Sequence, residues 1–228
     1  MPTGPVPAAL QEDRVRFAWV ARAAGWALGR YVRLVAATAR HVGPPIAQEQ
    51  CLIAFWHESN LAAAIAAAKL RDDQRFISFS TRGFRGVVMN AMLESVGAGV
   101  VTLPAEGKGS RAEAARMTAE LARLGREGWS LVVSLDGPFG PYRVAKPGAL
   151  IVAREAGLPV LPWAVSVRPP FRLKGRWDRQ IVPLPFSRIR VHQGALMHLA
   201  SREPLKPRLA ELQAELVRIA EEADRRMA

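Results

Sequence analysis

The residue best suited to proton transfer in this sequence is His57, because of the elements predicted on either side of it. The apolar run Cys51–Trp56 predicts a buried strand, and the Ala-rich segment from about Asn60 to Lys69 predicts a helix. When strands alternate with helices in an α/β sheet, binding and catalytic sites form at the carboxyl ends of the strands. A histidine there can take a proton from a hydroxyl near neutral pH. A hydrogen-bonded structural histidine is the alternative.

A second strand end carries a carboxylate in a tight turn. The strand predicted over Leu131–Leu135 is followed by Asp136-Gly137-Pro138-Phe139-Gly140-Pro141, and two Gly with two Pro favour a rigid turn. A carboxylate presented there could orient a histidine or bind a hydroxyl. Lys146 lies near the predicted start of the next helix, where a lysine can hold a phosphate. An ordinary Asp-Gly turn and a solvated lysine are the alternatives.

A third polar segment, Gly107-Lys108-Gly109-Ser110-Arg111, precedes and opens a predicted helix that runs to about Arg126. Backbone amides at a helix start, together with basic side chains, suit an anion. A capped helix with solvated basic residues is the alternative. Thr102 stands where a P-loop would need its first glycine, which disfavours a nucleotide triphosphatase. The chain also lacks a Gly-x-Ser-x-Gly elbow, which disfavours an α/β-hydrolase.

The overall charge points to a negatively charged partner. The chain has 228 residues, 50% of them hydrophobic, which suits one domain with a full core. Lys and Arg number 32 against 20 Asp and Glu, for a net charge of +12. Nucleic acid, an anionic membrane and a phosphorylated small molecule are the candidate partners. One Cys excludes a disulfide framework, and with only four His we expect no metal site.

Much of this charge lies between Val165 and Arg190, a segment with seven basic residues and a single acid, Asp178. Trp163, Phe171, Trp177 and Phe186 lie within or beside this block. Such a mixture could bind RNA, line a groove for phosphorylated headgroups or coenzyme A, or lie against anionic lipid. The basic residues are Arg168, Arg172, Lys174, Arg176, Arg179, Arg188 and Arg190, of which we take Arg172 and Lys174 as substrate-binding.

Residues 13–42 predict an amphipathic helix in which arginines alternate with apolar and aromatic residues. This pattern suits the headgroup region of a bilayer, and a helix packed on the domain is the alternative. Gly43-Pro44-Pro45 ends the helix. We therefore divide the chain into a membrane-interface helix in residues 1–45 and a domain in residues 46–228. No charge-free apolar stretch reaches 18 residues, so we expect no transmembrane helix, and residues 1–10 do not resemble a signal peptide.

The remaining pattern alternates strands with helices, which predicts an α/β domain with a mostly parallel sheet flanked by helices. Besides those already named, the predicted strands are Phe76–Ser80, Val100–Leu103, Pro159–Val167, Gln180–Leu184 and Arg188–Gln193. The predicted helices are about Gly83–Val96, Ser110–Arg126, Pro147–Ala156 and Pro207–Arg226.

Several short motifs occur in a fixed order from about Ala47 to Leu196. They are His57 after a strand, Gly109-Ser110-Arg111, Asp136-Gly137-Pro138 with Gly140-Pro141, Lys146-x-Gly148, Gly157-x-Pro159-Val160-x-Pro162, Trp177-Asp178 and Ile181-x-Pro183-x-Pro185-Phe186-Ser187. As a set they resemble the DUF374 group of bacterial proteins in the lysophospholipid/glycerolipid acyltransferase-like superfamily.

The resemblance implies a membrane-associated acyltransferase-like domain. In that superfamily a histidine acts as general base on an acceptor hydroxyl, which attacks an acyl thioester of coenzyme A or acyl carrier protein. His57 takes the base position by motif order, and the acceptor-binding motifs fall on Ser110, Arg111, Asp136 and Gly137, with Pro162 matching the final proline motif. The expected partners are a phosphorylated lipid acceptor and an anionic membrane at the cytoplasmic face of the bacterial inner membrane, with no cofactor and no nucleic acid.

The sequence departs from the superfamily at the acid that should follow the histidine. The usual motif is His-x4-Asp, but Ala62 occupies that position here. We expect Asp136 to replace the missing acid from across the sheet. Two further departures are Arg82-Gly83, where the group tends to have Asp-Gly, and Phe139, where it tends to have Arg. A catalytically silent lipid- or RNA-binding protein on the same fold is therefore the alternative function.

Overall fold

The computed structural model describes residues 16–44, 49–68, 75–103 and 111–227. The sheet in this part of the chain contains β1 (Arg40–Val42), β2 (Leu52–Phe55), β3 (Phe76–Thr81), β4 (Gly99–Leu103), β5 (Ser130–Ser134), β6 (Val160–Arg168) and β7 (Arg188–Gln193). Their order across the sheet is β1-β7-β6-β2-β5-β3-β4. All neighbours are parallel except β6 and β7, which are antiparallel.

Helices cover both faces of this sheet. They are α1 (Ala18–Thr38), α2 (Asn60–Ala67), α3 (Phe84–Ser95), α4 (Arg111–Arg126), α5 (Gly148–Ala156) and α6 (Leu205–Met227), with a short 3-10 helix at His57–Ser59 before α2. Residues of α1, α2 and α3 form one core, and residues of α4, α5 and α6 form the other. The central strand β2 is buried along its whole length, as a strand covered on both faces must be. The expected α/β domain with a mostly parallel sheet is confirmed.

The N-terminal segment differs from the predicted continuous helix. The helix α1 ends at Thr38, and residues 40–42 pair in parallel with β7 at the edge of the sheet. One face of α1 packs closely on α3, since a Cβ added at Gly25 would lie 2.4 Å from the backbone oxygen of Val88. The other face leaves Trp19 and Trp26 exposed. A division of the chain at residue 45 therefore places β1 in the N-terminal segment, although β1 pairs with β7 in the sheet of the domain.

The strand predicted over Gln180–Leu184 is wrong. The segment makes only an isolated bridge, between Arg172 and Ile181. Pro183 and Pro185 explain the difference, because proline has no backbone N–H to donate to a neighbouring strand. The chain here forms an irregular hairpin instead.

Among the described residues, no helix is both long enough and apolar enough to cross a bilayer.

Candidate active site

His57 lies at the carboxyl end of β2, in the middle of the sheet. Its strand pairs with β5 on one side and β6 on the other, so residues that follow all three strands converge on it. The 3-10 helix that starts at His57 turns the chain toward α2. The imidazole is mostly enclosed, with 17% of the side chain exposed.

The imidazole of His57 is bonded to Asp178, which lies 121 residues away in sequence. The distance from Nδ1 of His57 to Oδ2 of Asp178 is 2.9 Å. An ionised carboxylate can only accept hydrogen bonds, so the contact places a proton on Nδ1 and leaves Nε2 as the basic nitrogen. The ring of Trp177 lies beside the imidazole, with 5.1 Å between ring centroids.

Asp178 is presented by the irregular hairpin between β6 and β7. Two backbone bonds close this hairpin: Leu173 N–H donates to Gln180 O at 3.0 Å, and Val182 N–H donates to Phe171 O at 2.9 Å. The hairpin is also fixed to the histidine segment. The backbone N–H of Ile181 and the side-chain amide of Gln180 both donate to the carbonyl of Glu58, at 2.8 and 2.7 Å.

Asp136 holds the backbone of His57 and not its ring. Its Oδ1 accepts the backbone N–H of His57 at 2.7 Å, and its Oδ2 accepts the backbone N–H of Arg143 at 3.0 Å. The expectation that Asp136 replaces the missing acid at the imidazole therefore does not match the geometry, because both oxygens bind backbone amides and Asp178 occupies the ring nitrogen. Asp136 fixes the shape of the strand end instead.

Gly137 leaves the space in front of the imidazole open. A Cβ built on Gly137 would lie 2.8 Å from Cδ2 of His57, 2.8 Å from Oγ of Ser134 and 3.6 Å from Nε2 of His57. Any side chain at this position would press on the ring near its basic nitrogen. The predicted site residue Gly137 thus lies beside the imidazole of His57.

The electrostatics of the three groups differ. Burial lowers the pKa of His57 below its usual value, although the Asp178 carboxylate opposes this effect. Burial alone would raise the pKa of Asp178, but the hydrogen bonds and charge of Arg176, with those of His57, hold it below the usual value. Burial raises the pKa of Asp136 despite the backbone donors of His57 and Arg143. Both shifts favour a neutral imidazole next to an ionised Asp178 near neutral pH.

Arg176 is the main charged partner of Asp178. Its Nε donates to Oδ1 at 2.9 Å, and its Nη2 donates to Oδ2 at 2.7 Å. This two-point contact is the strong geometry for an arginine and a carboxylate. It fixes the carboxylate in the orientation in which Oδ2 faces His57.

Arg172, which we expected to bind substrate, lies in a network of ion pairs behind the histidine. It donates to Oε2 of Glu58 at 2.7 Å and also pairs with Asp224 of α6. Arg143 joins the same two acids, at 2.6 Å to Glu58 and 2.8 Å to Asp224. Glu58 is buried, so these contacts compensate a charge that would otherwise be costly.

The remaining predicted site residues lie in different elements. Pro162 is buried in β6, opposite Ala54 of β2, and Lys174 is exposed at the tip of the hairpin. Lys146 precedes α5, and its backbone N–H donates to Leu135 O at 2.9 Å. Ser110 lies outside the described residues. Arg111 is the first residue of α4, and its side chain is not among those described.

Asp178 is the functional candidate that sequence reasoning missed. The family resemblance includes Trp177-Asp178 but implies no role for the pair. One feature of the sequence marks Asp178 as a candidate: it is the only acid in residues 165–190, which contain seven basic residues. No group of three or more possible metal ligands occurs in the described parts of the chain.

Comparison with known proteins supports the fold. The structure resembles the crystal structure of the 1-acyl-sn-glycerophosphate (LPA) acyltransferase PlsC from Thermotoga maritima, with a TM-score of 0.51 and 16% sequence identity over 93% of this chain and 84% of that one. The chain is also 25% identical over 154 residues to an uncharacterized protein of Rickettsia prowazekii (strain Madrid E). That alignment covers 68% of this chain and 66% of the relative, just under two thirds of its length. No protein-family model matches the chain.

Proposed function

We propose that this chain is an acyltransferase that moves a fatty acyl group from a thioester to a hydroxyl of a phosphorylated lipid such as a lysophospholipid. The observation that supports this most is the contact between Nδ1 of His57 and Asp178 at the carboxyl end of the central strand. The acyltransferase fold of the PlsC neighbour gives independent support. We also propose that the chain is a member of the DUF374 group.

The chemistry requires only the groups already described. Nε2 of His57 takes the proton of the acceptor hydroxyl while the oxygen attacks the thioester carbonyl. Asp178 stabilises the imidazolium that forms, as the acid of a catalytic triad does. The new C–O ester bond forms as the C–S bond breaks, and the imidazolium returns its proton to the leaving thiolate. The products are an acylated lipid and a free thiol.

The surroundings of the histidine suit a charged lipid acceptor. Lys174, Arg176 and Arg179 are exposed on the same hairpin as Asp178, and Phe139 and Trp177 expose apolar surface beside it. A phosphate could bind to the basic residues while an acyl chain lies against the aromatic ones. The donor is acyl-coenzyme A or acyl carrier protein.

We further propose that the protein acts in phospholipid biosynthesis at the cytoplasmic face of the bacterial inner membrane, as a peripheral protein. The outer face of α1 supports this part of the proposal. Trp19 is 72% exposed there, and Arg22 and Arg30 are exposed on the same helix. The described helix contains no acidic residue, so it would be attracted to anionic lipid.

The test is thiol release by the purified full chain, given acyl-coenzyme A or acyl carrier protein with lysophospholipid liposomes. The protein's own thiol should not interfere, because Cys51 is buried and burial raises its pKa to about 12. We expect acceptor-dependent release that is lost in His57→Ala. Liposome binding without release from either donor would favour a silent lipid-binding protein, and equal release from His57→Ala would exclude His57 as the base.

A further inference from the structure

Three arginines lie side by side at the β6–β7–β1 end of the sheet. Residue pairing places Arg168 of β6 opposite Arg188 of β7, and Arg188 next to Arg40 of β1. Paired residues on neighbouring strands project from the same face of a sheet, and the strands lie about 4.8 Å apart. The three side chains therefore form one row, which we name the arginine ladder.

The ladder faces solvent, whereas the opposite face of the same strands is core. Arg40, Arg168 and Arg188 are all exposed. Val167 and Ile189, the neighbours that point the other way, are buried in the core that α1 covers. Within the described residues no ion pair or side-chain hydrogen bond engages any of the three arginines. Like charges directly opposite each other on neighbouring strands repel. A bound anion would therefore stabilise this row of arginines by offsetting their repulsion.

Two acids on the helix that packs beside these strands are engaged in ion pairs with other arginines. On the last turns of α6, which packs on β6 and β7, Asp224 pairs with Arg143 and Arg172. Glu222 pairs with Arg226 and Arg218. These carboxylates are therefore not available to neutralise the ladder.

An exposed aromatic residue accompanies the ladder. Phe186, two residues before Arg188, is 82% exposed and has a φ of 64°, a conformation that bulky residues rarely adopt. Two hydrogen bonds fix this corner: Phe186 N–H donates to the side-chain Oγ1 of Thr38 at 3.3 Å, and Arg40 N–H donates to Ser187 O at 2.8 Å. The fold thus presents a large apolar ring outward beside three cations.

We propose that the arginine ladder binds the phosphates of anionic phospholipids at a bilayer surface, with Phe186 entering the interface beside it. Guanidinium groups bind phosphate at two points, and arginines beside an exposed aromatic ring suit the headgroup region. The ladder and α1 lie over opposite faces of the sheet, so the ladder is a membrane contact separate from the outer face of α1. The proposal rests on the membrane association of the proposed function and does not depend on the chemistry of His57.

The test compares two triple variants of the full chain that remove the same charge. The ladder variant is Arg40→Gln with Arg168→Gln and Arg188→Gln. The control variant is Arg116→Gln with Arg202→Gln and Lys206→Gln, three exposed positions on α4 and around the start of α6. Binding is measured to phosphatidylcholine vesicles with and without phosphatidylglycerol.

We expect the ladder variant to bind the phosphatidylglycerol vesicles about 100-fold more weakly than the natural chain, from the usual contribution of a basic residue near an anionic surface. The control variant should lose roughly threefold or less, because its charges lie away from the contact. Phe186→Ser should weaken binding as well. The thermal midpoint of the ladder variant should not fall, because the substitutions relieve repulsion.

Equal weakening in both triple variants would overturn the proposal, because net charge alone would then explain binding. Displacement of the natural chain from vesicles by soluble glycerol 3-phosphate would also overturn it, in favour of a site for a soluble phosphate ester. A second measurement, thiol release with lysophospholipid in neutral detergent micelles, distinguishes a failure of this proposal from a failure of the acyltransferase proposal. The ladder variant should retain that turnover, whereas a failure of the acyltransferase proposal would remove turnover from the natural chain too.

Discussion

Asp136 and Asp178 both lie against His57, but they come from different parts of the molecule and hold different parts of the residue. Asp136 follows a central strand and accepts two backbone N–H groups. Asp178 lies on a hairpin outside the regular sheet and accepts the imidazole. Both side chains are buried, yet the pKa of Asp136 is raised by burial, whereas Arg176 and His57 hold that of Asp178 below its usual value.

The difference shows how the two acids divide the work at one strand end. Asp136 accepts its hydrogen bonds from backbone amides, which fix a backbone turn, and it makes no hydrogen bond to the ring. Asp178 lies between the Arg176 guanidinium and the imidazole of His57, so its negative charge is placed to stabilise an imidazolium when one forms. We infer that Asp136, which follows a strand of the sheet, fixes the backbone of the site. Asp178, on the hairpin, supplies the negative charge next to the imidazole.

The largest effect should come from Asp178→Asn. Without the carboxylate the imidazole loses the partner that selects its tautomer, and the corresponding substitution in a catalytic triad lowers kcat by about 10⁴. We expect thiol release to fall by about 10³ to 10⁴ with the protein still folded. A loss smaller than about tenfold would mean that Asp178 does not orient His57.

Gly137→Ala should have the next largest effect. The new Cβ would lie 2.8 Å from Cδ2 of His57, so the ring or the turn would have to shift. A displacement of that kind can lower the rate about 100-fold. The matched control is Gly148→Ala, since a Cβ there meets nothing within 4 Å. Equal kcat/KM values in the two variants would contradict the packing described.

Asp136→Asn should damage stability more than turnover. An amide has one acceptor oxygen, so one of the two backbone N–H groups, of His57 or Arg143, would face an NH2 group. We expect the free energy of unfolding in urea to fall by about 1–3 kcal/mol. Turnover of the folded variant should fall by less than about tenfold. A rate loss as large as that of Asp178→Asn would remove the distinction between the two acids.

The smallest effect should be a change in pH dependence. Burial lowers the pKa of His57, and the charge of Arg176 lowers it further, so turnover should rise with pH and level off before the pH at which an exposed histidine would. Arg176→Gln removes that positive charge, favours the imidazolium and should move the rising limb to higher pH. A shift to lower pH would contradict the sign of this interaction.

Much of the fold was predictable because its strands are short apolar runs separated by clear helix patterns, as at Leu131–Leu135. The edge strand at Arg40–Val42 was not, because three residues with two basic side chains carry no periodic signal. His57 and Asp136 were predictable as neighbours because both follow strands that pair in parallel. The role of Asp178 was not, since it depends on the path of an irregular hairpin.

The central claim is that Asp178 holds a proton on Nδ1 of His57 and leaves Nε2 free as the base. The most direct measurement is ¹⁵N NMR of the histidine side chains, with His57 assigned by comparison with His57→Gln. At a pH well above 6.5, the usual histidine pKa, we predict a neutral ring protonated on Nδ1, with this tautomer preference lost in Asp178→Asn and kept in Asp136→Asn. A ring protonated on Nε2 in the natural protein would contradict the account.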